Sequence, residues 1–436
     1  MLDTKKKIKF SIYNLSALLF ILIPYSLIFS IFLTEVILIL ISFISLKKNI
    51  PKLKVLVREN TLIKMLLIFY LIIVFSSFYN QSKFEIILKN LAYLRFIFYA
   101  ISVSLILAEF KYLKKYFLFS LISCYLLLFF GSLYEYIFKR YCITFDESTV
   151  AQFTGNFRFC SEKYFIGNLI RPDRISSFFG DEMIVGSFTA RVLPLVFFLI
   201  FDQINNLNRR ITILSLTFFV SIVIVILSGE RLSLFYLIIF SIIFLLYINI
   251  KYKYILFIFL TTFSYLIITS STVLKDRIYE QTYSQIFKTD GSIKFFSVEH
   301  QSHAISAIEI FKDNPIIGIG PKNYRYECRK EKYNISKYSC TSHPHNFYLQ
   351  LLSEVGILGI LIPLIILINI FMYFLKIFYE KLTFKSDNQE IKKLLINMSF
   401  LITFFPIIPT GNIFNNWLSI IFYLPLGFFI FEKKNG

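Results

Sequence analysis

Runs of roughly 17–25 predominantly apolar residues recur along the whole 436-residue chain, the length an α-helix needs to cross a hydrocarbon layer of about 30 Å. One water-soluble core could not hide them. Apolar residues make up 56% of the chain, and single cores stop growing beyond roughly 250–300 residues. The expectation is an all-α, polytopic integral membrane protein, a single transmembrane domain over residues 1–436. Window hydropathy places about twelve spans. They are centred on 11–29, 31–46, 62–78, 91–107, 116–133 and 183–201, then 211–227, 232–248, 254–268, 347–371, 394–408 and 417–430. No internal repeat and no Gly/Pro-interrupted pair of spans recurs in two halves, which argues against an inverted-repeat transporter.

The net charge of +19 could suggest nucleic acid, but its distribution excludes that partner. Basic residues cluster at 5–9, 47–58, 111–115, 209–210, 251–253, 376–393 and 433–434, all on one side of the span list. That side is the cytoplasm by the positive-inside rule, with both termini there. Lys5-Lys6-Lys7 before an apolar run, with no small-residue cleavage site after it, reads as a retained signal anchor. Two long polar loops, 135–182 and 271–346, then face outward, and long loops are exempt from the charge rule. A loop as long as the second is expected to carry short helices over the membrane opening. Cysteine gives an independent indication. Cys142 and Cys160 fall in the first loop, Cys328 and Cys340 in the second, as two candidate disulfides in an oxidising compartment. Cys124, mid-membrane, reads as a packing residue, and no metal-type CxxC spacing occurs. These features imply a bacterial inner membrane with periplasmic loops.

Only 4 histidines occur, and two of them bracket a proline in Ser342-His343-Pro344-His345-Asn346-Phe347, at the mouth of the tenth span. Ionisable groups at such boundaries are costly and usually functional. Pro344 suits a first helical turn, with Ser342 or Thr341 as caps. His345 would then sit at a helix N-terminus, where the dipole disfavours a charged ring and leaves a neutral general base. A solvated boundary histidine is the plainer alternative. At about 100° per residue, Gly356 and Gly359 fall within about 40° of the His345 direction and would admit a close neighbouring helix. Glu354 points to the opposite face, as a structural hydrogen-bond partner.

Three outward clusters accompany the histidine. Arg171-Pro172-Asp173-Arg174 leads into Ser176-Ser177-Phe178-Phe179-Gly180-Asp181-Glu182 before the sixth span. Ser228-Gly229-Glu230-Arg231 forms the turn between the seventh and eighth. Asn314-Pro315-Ile316-Ile317-Gly318-Ile319-Gly320-Pro321, followed by Lys322 and Arg325, lies in the second loop. Gly318-x-Gly320 follows no βαβ strand and is not a dinucleotide fingerprint. Arginines at the outer face suit phosphate or pyrophosphate, because the guanidinium forks and keeps its charge. Interfacial anchoring is the bland reading of each. Arg95 and Arg191, inside spans, are further candidates, with Arg191 about eight residues deep.

His345-Asn346, then nine residues, Gly356, two residues and Gly359 resembles the signature of the O-antigen ligase and polymerase superfamily. The order of elements over about 165–375 agrees: the Arg174 segment, the Arg231 turn, Asn314-Pro315…Gly318-x-Gly320, and the histidine helix. Where the family commonly has Ser-Arg side by side, this chain has Ser228-Gly229-Glu230-Arg231. The resemblance implies periplasmic, inverting glycosyl transfer from a saccharide on undecaprenyl pyrophosphate to a sugar hydroxyl of lipid A-core or another lipid-linked glycan. His345 would be the base, and Arg174, Arg231, Arg171 and Arg191 the donor-binding arginines. Asn346, Gly356, Gly359, Gly318 and Gly320 would complete the motif. No cofactor is implied, and no Asp-x-Asp occurs in the outward loops to hold a metal; Asp181-Glu182 is a fallback base or metal pair. A ligase is favoured over a polymerase joining repeat units, and a polysaccharide or lipid transporter is the non-enzyme rival.

Overall fold

The computed structural model describes residues 12–138, 141–144, 158–161, 174–180, 182–247, 253–286, 297–383, 388–406 and 408–435. Its helices of eight residues or more, in chain order, are α1 Ile12–Phe29, α2 Ile31–Lys48, α3 Ile50–Glu59, α4 Thr61–Tyr79, α5 Phe84–Leu91, α6 Leu94–Glu109 and α7 Leu113–Phe138. A two-stranded antiparallel hairpin follows, β1 Tyr141–Thr144 with β2 Arg158–Ser161. Then come α8 Val185–Gln203, α9 Leu207–Leu227, α10 Arg231–Tyr247, α11 Lys253–Ser270, α12 Val298–Asp313, α13 Phe347–Thr383, α14 Asn388–Thr403 and α15 Asn416–Asn435. Each of the twelve apolar segments overlaps one of these helices over most of its length.

Among the described residues, six stretches are long and apolar enough to cross a membrane: Thr61–Tyr79, Phe84–Glu109, Leu113–Phe138, Val185–Gln203, Leu207–Leu227 and Phe347–Glu380. Others fall short for visible reasons. Glu35, Lys47 and Lys48 interrupt α2, and α14 opens on Asn388, Gln389 and Glu390. The eleventh segment was expected to run to 408, yet α14 ends at Thr403 and a loop follows. Helix α3, with Pro51 in its first turn, forms within the 47–58 basic cluster, and helix α5 forms in the connection between the third and fourth segments, where the sequence reading placed no helix.

Apolarity on all sides sends a helix to the centre of a bundle. Every residue of α8 from Val185 to Phe201 is buried, and α7, α9, α10 and α14 pack around it. Helix α15 lies along α6, and the α1–α2 hairpin turns on the single residue Ser30, whose hydroxyl caps α2 by accepting from the Leu33 amide. Outward faces of α4 (Ile68, Leu71, Phe75) and α13 (Ile368, Phe371, Met372) carry large exposed apolar side chains, a surface suited to lipid rather than water.

Helix α13 is broken. Gly356 has φ 67° and ψ −166°, a conformation essentially reserved for glycine. The segment 314–320 slots into the break. The Ile319 and Gly320 amides donate to the Ser353 and Glu354 carbonyls, and the Ile357 and Leu358 amides donate to those of Pro315 and Ile316. A Cβ on Gly356 would stand 2.3 Å from the Ile316 oxygen, and one on Gly318 2.4 Å from the Glu354 carbonyl carbon. So Gly356 admits a loop, not the neighbouring helix expected, and Gly359 abuts Val355 of its own helix. Gly356→Ala should therefore cost at least about 1–3 kcal/mol from backbone strain alone. The check is a lower melting temperature and poor recovery as a monodisperse detergent complex.

Cys328 and Cys340 are joined by a disulfide with Cα atoms 5.3 Å apart, beside buried Tyr324 and Ile310. The closed loop spans a sequence separation of 12. Replacing both by serine should destabilise this loop by about 3 kcal/mol, read as a lower melting temperature that reductant reproduces in the parent protein. The hairpin register sets Cys142 opposite Cys160, whose side chains lie outside the described residues. Cys124 is buried and free.

Candidate functional site

Asn346, not Ser342 or Thr341, caps α13: its Oδ1 accepts from the Tyr348 and Leu349 amides at 3.0 and 3.1 Å. His345 consequently stands one residue outside the helix, in the left-handed region at φ 52°. The loop after α14 holds this segment. Thr410 donates its amide to the His345 carbonyl (2.7 Å), its carbonyl lies 3.3 Å from His343 Nε2, and Asn346 Nδ2 donates to the Ile408 carbonyl. Gln350 then ties loop and helix together. Its Nε2 donates to Asn412 Oδ1 (2.8 Å) and Glu354 Oε2 (3.0 Å), and its Oε1 accepts from the Ile413 amide. Glu354, fully buried, accepts the Tyr324 amide with its other oxygen, the structural role expected of it.

All four histidines of the chain meet here. The His345 ring centroid lies 4.2 Å from that of His343, 5.1 Å from His303 and 5.6 Å from His300, the last two on α12. Burial first, then neighbouring imidazoles, pushes His345 down to about 3. Burial takes His343 down to about 4, against the Thr410 hydrogen bond, and lowers His300 and His303 too. The cluster is therefore neutral near pH 7. Among the described residues no group of three His, Cys, Asp or Glu is placed to hold a metal ion.

His345 opens into a cavity of about 1170 Å3 whose wall also carries Arg174, Arg191, Arg325, Glu182 and Glu230. Arg191 is the unusual one. It is 3% exposed, donates to the hydroxyls of Ser187 and Tyr236, and lies 4.8 Å from the Tyr236 ring centroid. No carboxylate among the described residues pairs with it, nor with Arg325. A buried, uncompensated cation is expensive, so the site favours an anion beside it.

Arg174 is held differently, donating to the Met183 carbonyl and standing 3.9 Å from Glu230. Glu230 performs a second task. Helix α8 has no side-chain cap of its own, and Glu230 from the α9–α10 turn accepts the Gly186 and Ser187 amides. Burial raises its pKa against the opposing pull of Arg174, Ser233 and those amides. Glu135, at the end of α7, likewise accepts the Ser176 and Ser177 amides and anchors the Arg174 segment.

Arg231 does not line the cavity. Its guanidinium turns to the segment after α11, donating to Gln285 Oε1 at 2.8 Å. Arg95 is occupied by Glu35 and Asn416. Arg171 and Asp181 lie outside the described residues. Gly318 and Gly320, at φ 69° and 90°, shape the inserted loop rather than touch the cavity. The sequence reading missed His300, His303 and the 408–415 loop as neighbours of His345; it noted His343 beside Pro344 and Arg325 among the outward arginines, but gave neither a role of its own.

One cavity of this multi-pass helical protein thus gathers a neutral histidine, the buried Arg191 and the partly buried Arg174 and Arg325. Residues 216–364 match the family model described as O-Antigen ligase, so this segment is similar to the O-antigen ligase superfamily. No curated protein matches the chain. The match takes in the Arg231 turn, the inserted loop, His345 and both helix glycines, whereas Arg174, Arg191 and Thr410 lie beyond it. The match supports ligase- or polymerase-type function only in general.

Proposed function

We propose that this protein transfers a saccharide from undecaprenyl pyrophosphate to a sugar hydroxyl of lipid A-core, at the periplasmic face of a bacterial inner membrane. The observation that carries the reading is the uncompensated Arg191 guanidinium in one cavity with the neutral ring of His345. Apolar Phe29, Phe178 and Trp417 on the same wall suit the first isoprene units of the donor. The acceptor oxygen attacks the anomeric carbon opposite the pyrophosphate, so configuration inverts. The carbon–oxygen bond to pyrophosphate breaks with its electron pair leaving on phosphate, and His345 takes the hydroxyl proton. Arg174, Arg191 and Arg325 meet the charge that develops on the leaving group. Under this reading the 135–182 and 271–346 loops face the periplasm.

Purified protein in detergent, given lipid-linked donor and lipid A-core, should join them without a membrane gradient. Transport without joining would overturn the proposal. A deletion strain separates ligase from polymerase: loss of all lipid-A-linked polymer marks the first, a core bearing one repeat unit the second.

The pH profile follows from the lowered histidine. The base works deprotonated, and a depressed pKa keeps it so in more acidic solution. kcat/KM, which reports the free enzyme, should thus stay flat from pH 8 to about 5, where an unperturbed imidazole would already have lost most activity. An acid limb near 6.5 would show that another group, or an exposed ring, is the base.

A further inference from the structure

Helix α8 lines the histidine–arginine cavity through Ser187 and Arg191 and a second cavity, of about 570 Å3, through Phe198; α15 gives Trp417 and Leu418 to the first and its stretch from Phe422 to Lys433 to the second. The two cavities therefore lie at opposite ends of the bundle. Met65, Leu66, Phe198, Ile370, Phe400 and Phe429 give the second one mostly apolar walls. Its charged residues sit at one rim and divide into two kinds. Lys392 is paired with Asp202, and Glu432 with Lys114, so these four tie α7, α8, α14 and α15 together. Lys393 and Lys433 are exposed, and no carboxylate among the described residues pairs with either. Glu380 and Glu390, near Tyr373 on this side, are not part of the lining.

Asn369 adds an independent indication. It is the one hydrogen-bonding side chain between Ile357 and Phe371, on the apolar helix α13, and it is exposed where it lines this cavity. A polar group in a membrane helix is costly unless it meets a polar partner.

We propose that this second cavity holds an anionic phospholipid, with an acyl chain against the apolar walls, its phosphate on Lys393 and Lys433, and its ester region at Asn369. A neutral lipid would leave the two ammonium groups unanswered. A free phosphate would leave the apolar walls empty. Juxtamembrane lysines attract anionic lipid in this way, each contributing separately. The site is independent of the transfer reaction, since none of its residues lines the first cavity.

Native mass spectrometry of the full chain, titrated with phosphatidylglycerol, phosphatidylcholine or inorganic phosphate, tests this. Phosphatidylglycerol should be retained by the parent protein, and roughly thirtyfold more weakly by Lys393→Gln/Lys433→Gln. Phosphatidylcholine should bind the parent about as weakly as phosphatidylglycerol binds that double variant. Inorganic phosphate should not displace the lipid. Ile370→Trp, which fills the chain's place and leaves the lysines, should lower retention as well. Equal binding of the two lipids, full retention by the lysine variant, or displacement by phosphate alone would overturn the proposal. The exposed lysines can be changed without touching a buried pair, and the lipid comparison on the parent protein decides the question without any variant.

Discussion

Replacing His345 by alanine should lower kcat for glycan transfer by about 10²–10⁴-fold while expression and membrane insertion stay normal. The expectation rests on where the ring is held. Its backbone is fixed by the Thr410 amide, the α13 cap is made by Asn346 rather than by His345, and the side chain faces the cavity. Removing the ring thus leaves the cap, the inserted loop and the Gln350 bridge in place. Residual transfer would come from the arginines, which act on the leaving group and not on the acceptor proton. His343→Ala should do less harm to chemistry, because His343 is engaged by Ser342 and the Thr410 carbonyl. Near-normal transfer by His345→Ala would remove the base assignment and direct attention to Glu182 on the same wall. Measured kcat on equal amounts of inserted protein is the deciding quantity.

What the sequence made legible was whatever depends on neighbours along the chain. Apolar runs of spanning length became helices because an unpaired backbone is intolerable in hydrocarbon, whichever helices pack beside them. The His345–Gly359 spacing was legible as a motif for the same reason. Its geometry was not. Treating α13 as continuous put both glycines on the His345 stripe, but the helix breaks at Gly356 because four hydrogen bonds to 315–320 replace those of the helix. The partner segment comes from the preceding loop, and no periodicity reveals it.

The same limit explains the end of α14. Phe404, Phe405 and Ile408 extend the apolar run, while Thr410 and Asn412 are recruited by the histidine segment and by Gln350. His300 and His303 are spaced for one face of α12, yet only the fold brings that face to His345. Arg231 is a different case. Its place in a turn suggested the cavity, whereas that turn's contribution is Glu230, capping α8, and the arginine leaves toward Gln285.

Arg191 should give the sharpest separation of activity from stability. As a buried guanidinium that donates to the hydroxyls of Ser187 and Tyr236, it bears a desolvation penalty that no carboxylate among the described residues offsets. Arg191→Met, similar in length and apolar, should leave the melting temperature unchanged or raise it. Transfer should fall by about 10²–10³-fold, the loss typical of removing one preorganised donor to a developing oxyanion. Arg174→Met should lose comparable activity but also loosen the 174–187 segment, since Arg174 holds the Met183 carbonyl and faces Glu230. Arg231→Ala, directed away from the cavity, should reduce transfer least of the three. A clear loss of stability in Arg191→Met would mean that the arginine is a structural tie between α8 and Tyr236. Full activity in that variant would mean that no anion is bound beside it. Stability kept with activity lost is the result expected of a cation that helix α8 holds in readiness for a diphosphate.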